Sequence, residues 1–278
     1  MKELFDTVSF KCSKITTTSY STSFSFGIKA LDKSFHSHIY NIYGFVRFAD
    51  EIVDSFHEFN KEELLREFKK ETHNAIKQKI SLNPILNSFQ HTVNLYKIDT
   101  ELVNTFLDSM EMDLKPRLYD EDKYDKYILG SAQVVGLMCL KVFVEGDSKQ
   151  YFELKPHAMS LGSAFQKINF LRDIKADFEK LGRTYFPNVE MTKFSTKDKQ
   201  TIEVDIKKDF NHALIGIKRL SKKSRLGVYL AYSYYFKLFK KIKNLAPDKI
   251  LTERIRIPNE IKFLIIFETL VKDKLHIL

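Results

Sequence analysis

Two pairs of aspartates, Asp50/Asp54 and Asp173/Asp177, lie in segments whose apolar residues recur every three or four positions. That period is helical. On a helix, residues four apart stack on one face, where two like charges cost about 0.2–0.5 kcal/mol. Walking back from Asp54 in helical steps meets Asp50, Arg47 and Tyr43, and the same walk from Asp177 meets Asp173, Asn169, Gln166 and Gly162. The residues between them, Phe45, Val46, Ile52 and Val53 in one segment and Phe165, Ile168, Leu171 and Ile174 in the other, are apolar. A helix that is greasy over most of its circumference turns a lone polar stripe toward an internal cavity. Carboxylates there need a partner, because isolated ionised acids in low dielectric protonate instead. A hard cation held by one or two carboxylates plus substrate phosphates meets that need, with magnesium first and manganese the alternative. A single pair is explained by a solvated helix face. Two pairs, each with an amide or arginine in register, point to a site.

Nine Gly and six Pro in 278 residues are too few to punctuate a many-stranded sheet, so the chain is predicted to be all-α. Apolar periodicity predicts helices over 34–56 (ending after Asp54), 61–79, 85–95, 101–114 (closed by Pro116), 123–144, 151–180, 197–220, 227–245 and 261–271. In the 123–144 helix, Gly130, Ser131, Ala132 and Gly136 are small residues suited to close helix contact. With no linker-like, repeated or low-complexity stretch, a single domain over 1–278 is expected.

The formal charge of +9 admits nucleic acid, an anionic membrane or a phosphorylated substrate as partner. The lysines are scattered instead of clustered with exposed aromatics, so nucleic acid is not expected. The 24 Phe and 13 Tyr, with no Trp, suit a long oily cavity as well as an ordinary core. Cys12 and Cys139 form neither a metal-ligand spacing nor a disulfide framework, which fits a reducing cytoplasm. The N-terminus is charged too early for a signal peptide, and the longest apolar run, about 263–267, is far short of a spanning helix. A soluble cytoplasmic protein that visits acidic membrane surfaces peripherally is expected. No P-loop, G-x-G-x-x-G or Ser-His-Asp order is present, and the histidines, His157 among them, read as structural or surface.

On these residues the chain resembles the squalene/phytoene synthase family, the head-to-head prenyl diphosphate condensing enzymes, over nearly its whole length. Ser21-Thr22-Ser23-Phe24 looks like the family's early serine–phenylalanine segment, although Ser21 and Ser23 also suit a helix cap. Tyr43 to Asp54, with Arg47, resembles the first aspartate motif. Tyr127 to Gly136 is similar to Y-C-x-x-V-A-G-x-V-G, with Ile128 for the cysteine and Gln133 for the glycine. Gly162 to Asp177 follows L-G-x-A-x-Q-x-x-N-x-x-R-D-x-x-x-D nearly position for position, and Gly182-Arg183-Thr184-Tyr185-Phe186-Pro187 resembles G-R-x-Y-x-P. Tyr235 and Glu253-Arg254-Ile255-Arg256-Ile257 look like the closing elements.

The resemblance implies the isoprenoid synthase fold, a single helical domain around a central cavity. It implies that Asp50, Asp54, Asn169, Asp173 and Asp177 hold magnesium, and that Asp50, Asp54, Asp173, Asp177, Tyr127 and Tyr235 serve catalysis. Ser21, Ser23, Phe24, Tyr43, Arg47, Gln166, Asn169, Arg172 and Arg254 are implied to bind prenyl diphosphate, with Phe24, Tyr43, Tyr127 and Tyr235 as aromatic wall. Gln133 and Ile128 are expected to reshape that wall and so bear on substrate length. The leading expectation is phytoene from two geranylgeranyl diphosphates. Squalene or dehydrosqualene synthesis from farnesyl diphosphate is the alternative, and a non-catalytic scaffold or a terpene cyclase ranks lower. NADPH is not expected, and monomer or homodimer stays open.

Overall fold

The computed structural model describes residues 1–114, 120–181, 185–187, 189 and 194–275, the side chains of 176–181 excepted. Pro116, Gly182, Arg183, Thr184 and the side chain of Asp177 therefore lie outside the described residues. Among the described residues there are helices and no strand. In chain order they are α1 (Lys2–Tyr20), α2 (Thr22–Lys29), α3 (Lys33–Asp54), α4 (Lys61–Gln78), α5 (Pro84–Tyr96), α6 (Thr100–Asp113), α7 (Glu121–Ile128), α8 (Val134–Phe143), α9 (Ser148–Leu181), α10 (Thr196–Arg219), α11 (Lys222–Lys243), α12 (Pro247–Thr252) and α13 (Asn259–Lys274). The starts are chemically marked. Asp32 accepts the Ser34 amide at 3.0 Å to open α3. Asn83 accepts the Ile85 amide at 3.1 Å ahead of Pro84 in α5, and Ser195 with Asp198 forms a capping box on α10.

Two apolar cores flank a cavity. The first gathers on α3, where Phe45 stacks on Phe89 of α5 at 3.9 Å between ring centroids and meets Phe106 of α6 at 5.3 Å. The second joins Ile168 and Leu171 of α9 to Phe210 of α10 and Leu238 of α11. Each fully buried Phe or Leu contributes about 1.5–3 kcal/mol relative to exposure. Walls from α2, α3, α8, α9, α10 and α11 leave a cavity of about 270 Å³ between the cores.

The segment expected as one helix over 123–144 is three pieces: α7, a single π turn (Leu129–Gln133), and α8. Such π turns commonly mark functional sites. This one lies against α9 at Gly162, where an added Cβ would stand 2.7 Å from the Ala132 carbonyl oxygen, so only glycine permits the approach. The combined stretch Glu121–Phe143 is also long and apolar enough to cross a membrane by length and composition. Here α3, α6 and α9 pack around its parts, and a core helix of a helical body passes the same test.

Helices α1, α2 and α12 were not expected. In α1 the buried side is not apolar at all: Ser9, Ser13 and Thr17 face inward, while Leu4, Val8 and Ile15 are exposed. That hydroxyl row docks on α5 and α3. Ser13 and Ser88 hydroxyls share a bond at 2.6 Å, and the Asn87 amide donates to Asp6 at 3.0 Å and to Ser9 at 3.1 Å.

Candidate functional site

Both acid-bearing helices run from an apolar depth to a charged mouth. On α3 the cavity wall climbs through Ile39, Tyr43 and Val46, and Asp50 follows one turn later. On α9 it climbs through Leu161, Phe165, Gln166 and Asn169, and Asp173 follows one turn later. The two walls are joined electrostatically, because the ionisation of Tyr43 responds to Tyr235, and that of Tyr235 to Arg172 and Asp173.

On the α3 side, Arg47 pairs with Glu51 and stands 3.7 Å from Asp50. Its guanidinium also lies 4.3 Å over the Tyr20 ring. The Asp50 side chain is half-buried, with 36% of its surface open. Burial pushes its pKa up to about 7; Asp54, Asp113 and Glu51 add repulsion and Arg47 offsets part of it. At neutral pH that carboxylate is strained toward protonation, and a nearby cation would restore its charge.

On the α9 side, Asp173 lies between two arginines. Arg172 Nε donates to it at 3.1 Å and Arg254 Nε stands 2.6 Å away. Burial opposes the Arg172 charge, but the bond to Asp173 and the attraction of Tyr235, Asp173 and Tyr234 together outweigh it and raise the pKa. Tyr235 stacks on Phe165 at 3.9 Å and donates to Asn169 Oδ1 at 3.3 Å. Phe24 stacks on Tyr43 at 5.0 Å, and burial lifts the Tyr43 phenol to about 12. Phe24, Tyr43, Gln166, Asn169 and Tyr235 all line the cavity, with Arg47, Asp50, Asp54, Arg172, Asp173 and Arg254 on the two helices' charged ends and the nearby 253–257 strap.

Four positions, Tyr127, Ser23, Gln133 and Ile128, differ from expectation. Tyr127 is not on the cavity wall; it is buried against Phe170 and Tyr185, and its hydroxyl donates to Asp113 at 2.7 Å. Ser21 caps α2 by accepting the Phe24 amide at 3.2 Å, whereas Ser23 lies on the other side of α2 in a small recess with Tyr234 and Lys262. Gln133 and Ile128 do not line the cavity either: Ser131, Ala132, Val135 and Gly136 form that wall, and Ile128 is core. Gln133 closes the π turn, whose inserted residue shifts side-chain directions relative to a plain helix.

Sequence reasoning missed Tyr20 and Asp113. Tyr20 precedes the serine–phenylalanine segment but belongs to a helix without an apolar stripe. Asp113 is a lone acid at the end of α6, and nothing in its spacing announces a neighbour on α3.

Among the described residues no three His, Cys, Asp or Glu side chains are gathered as a ready-made metal cage. The donor set instead offers hard oxygens in small numbers on each wall, Asp50 and Asp54 opposite Asn169 and Asp173. This fits magnesium, which takes one or two carboxylates and completes its shell with water and substrate phosphate.

The sequence profile of the squalene/phytoene synthase family matches residues 17–260. The chain is 30% identical to the presqualene diphosphate synthase of Rhodopseudomonas palustris over 172 residues, which is 60% of this chain and 58% of that one. It is 31% identical over 162 residues to the chloroplastic phytoene synthase of Daucus carota, covering 52% of this chain and 40% of that one. It therefore spans less than two thirds of either relative. In three dimensions it matches a dehydrosqualene synthase with a TM-score of 0.83 at 18% identity, over 97% of this chain and 98% of that one. It also matches the squalene synthase HpnC from Alicyclobacillus acidocaldarius with a TM-score of 0.74 at 18% identity, over 84% and 93%. These likenesses place the helical body in the isoprenoid synthase fold. A profile match over most of its length, on a fold whose cavity ends in two aspartate-bearing helices, makes this chain a member of the squalene/phytoene synthase family, whose members are prenyltransferases.

Proposed function

We propose that this chain condenses two geranylgeranyl diphosphates head to head, giving phytoene through a cyclopropylcarbinyl diphosphate. The observation that carries the reading is one apolar cavity whose α3 and α9 walls lead, a turn beyond Val46 and Asn169, to Asp50 and Asp173. Asp50, Asp54, Asn169, Asp173 and Asp177 would hold magnesium, which supplies positive charge against the diphosphate leaving group. Arg47, Arg172 and Arg254 exchange their carboxylate partners for phosphate oxygens as substrate arrives, stabilising the charge that builds as the C–O bond breaks. The allyl cation so formed is attacked by the double bond of the second substrate, and proton loss closes the cyclopropane. A second ionisation, rearrangement and proton loss gives the triene core without a reductant. Phe24, Tyr43 and Tyr235 present π faces to the cations and exclude water. Tyr127 acts one layer back, holding Asp113 beside Asp50.

A second reading is favoured by the naming of several relatives as presqualene diphosphate synthases: two farnesyl diphosphates, with squalene or dehydrosqualene as the further product. Incubation with farnesyl or geranylgeranyl diphosphate and magnesium, with and without NADPH, followed by product analysis, separates the two. A C40 hydrocarbon made without NADPH supports the first reading; C15-derived products alone replace it with the second.

The site of action proposed for the chain is the surface of an acidic membrane, which holds both amphiphilic substrate and hydrocarbon product. Besides the net charge, α13 supports this by leaving Phe263, Leu264, Phe267 and Leu270 exposed along one side.

A further inference from the structure

Past the aromatic wall the cavity continues downward, and one polar side chain, His157 of α9, enters its lining among apolar neighbours. Its place is set by α10. A Cβ added at Gly216 would lie 2.3 Å from the His157 Cβ, so the missing side chain of Gly216 is what lets His157 rest against the α10 backbone. The imidazole is then fixed from two directions: Nδ1–H donates to the His212 carbonyl at 2.9 Å, and the His212 ring lies against it at 4.3 Å between centroids, tilted by 46°. His212 is itself held by Ser160, with Oγ to Nδ1 at 2.8 Å. This is a supported side chain beside the cavity, not a loose surface histidine.

Its depth can be compared with the chain it would meet. His157 lies sixteen residues before Asp173 on α9, which at 1.5 Å per residue is about 24 Å. Bridging carboxylate to the first prenyl carbon through a magnesium with ~2.1 Å bonds and a phosphate takes about 7 Å of that. An extended chain advances roughly 1.2 Å per bond, so three isoprene units of four bonds each reach about 14 Å and four reach about 19 Å. The remaining ~17 Å puts His157 beyond the end of a C15 chain and alongside the fourth unit of a C20 chain. Below it the lining goes on through Leu154, Leu220 and Phe143, so there is apolar wall for that fourth unit to occupy.

We propose that the His157–Gly216 pair is the chain-length gate of this cavity, holding the passage open to a fourth isoprene unit because Gly216 lets the imidazole lean back on α10. The proposal rests on the prenyl diphosphate reading above and goes beyond it by naming the residues that discriminate C20 from C15. Enlarging the side chain, or filling the space behind it, moves bulk into the path of the last unit only. One methylene in an apolar pocket changes selectivity by roughly 10–200-fold, which sets the scale of the expected effect.

The test is competition between farnesyl and geranylgeranyl diphosphate, read as the ratio of kcat/KM values, in wild type, His157→Phe, His157→Ala and Gly216→Ala, with thermal melts to confirm folding. His157→Phe and Gly216→Ala are expected to lower the C20:C15 ratio by about tenfold or more, and His157→Ala to raise it. A ratio unchanged in folded His157→Phe and His157→Ala overturns the gate, as does a shift in the same direction in both, which marks a merely structural effect. Should Gly216→Ala fail to fold, the two His157 variants decide alone. Wild type that uses only C15 overturns the C20 substrate assignment, and the gate then stands or falls on whether His157→Ala admits C20. Wild type that turns over neither substrate overturns both.

Discussion

Asp50 sets the needs of folding against those of function. Its carboxyl titrates at about 7, chiefly because burial disfavours the charge and Asp54 repels it. Since the folded-state pKa lies above the unfolded value, the folded protein binds the extra proton. The acid is comfortable below about pH 4 and costs progressively more stability as pH rises through about 7. Asp50→Asn is therefore expected to raise the melting temperature of metal-free protein at about pH 8 and to leave it unchanged near pH 4. The same substitution is expected to lower turnover by roughly 100-fold or more, the scale of losing an electrostatic stabiliser. Near-normal activity in the folded Asp50→Asn variant would remove Asp50 from the site. Because protons and metal compete for this carboxylate, the magnesium concentration needed for half-maximal rate should climb as pH falls below about 7. Tyr20 makes a gentler test. It stacks under Arg47, and a cation–π contact at a partly exposed site is worth about 0.5–1 kcal/mol. Tyr20→Ala should raise KM a few-fold and leave the pH profile alone.

At the scale of elements, α3 is both the spine of the first core and the carrier of Asp50, so its packing and its chemistry are not separable. Phe45 is fully buried between Phe89 and Phe106, and Phe45→Ala is expected to cost about 3–5 kcal/mol in urea unfolding. The other side of α3 meets α1, whose contact depends on hydroxyls and an amide. Asn87→Ala removes the amide donor to Ser9 and one of the two donors to Asp6, leaving only Lys2 there at 2.7 Å, and should cost about 1–3 kcal/mol. These elements also show why sequence legibility was uneven. The expected starts at 34, 85 and 197 fall within a residue of α3, α5 and α10, which Asp32, Asn83 and Ser195 cap by local bonds. Helix α1 was not readable, because the residues it buries are Ser9, Ser13 and Thr17, and an apolar-period search follows its exposed side. The π turn at Leu129–Gln133 was equally hidden, since one inserted residue changes every later side-chain direction without altering composition.

At the scale of the whole molecule, the cavity and its mouth are products of six helices meeting. Chelation is expected to abolish turnover and magnesium to restore it; full activity in chelator would dismiss the metal assignment. The membrane proposal is tested by liposome co-sedimentation. Binding to acidic vesicles should weaken toward 1 M salt, where screening shortens to about 3 Å. Phe263→Glu with Phe267→Glu should reduce that binding, because both side chains are exposed on α13. Equal binding to neutral and acidic vesicles would leave the +9 charge as a solubility feature.

Helical class, the two aspartate stripes, the amides in register with Asp173 and the arginine in register with Asp50 were readable from the chain alone, because helix periodicity is local and residues four apart are neighbours in any fold. Sequence order likewise placed Tyr43 before Asp50 and Asn169 before Asp173. Which distant residues share a space was another matter. That Tyr127 holds Asp113, that Tyr20 supports Arg47, that Ser23 faces away and that Gly216 makes room for His157 all depend on how helices far apart in sequence approach one another. Those approaches are decided by packing, where a single missing Cβ or one inserted π residue changes which side chain reaches the cavity, and no local pattern records them.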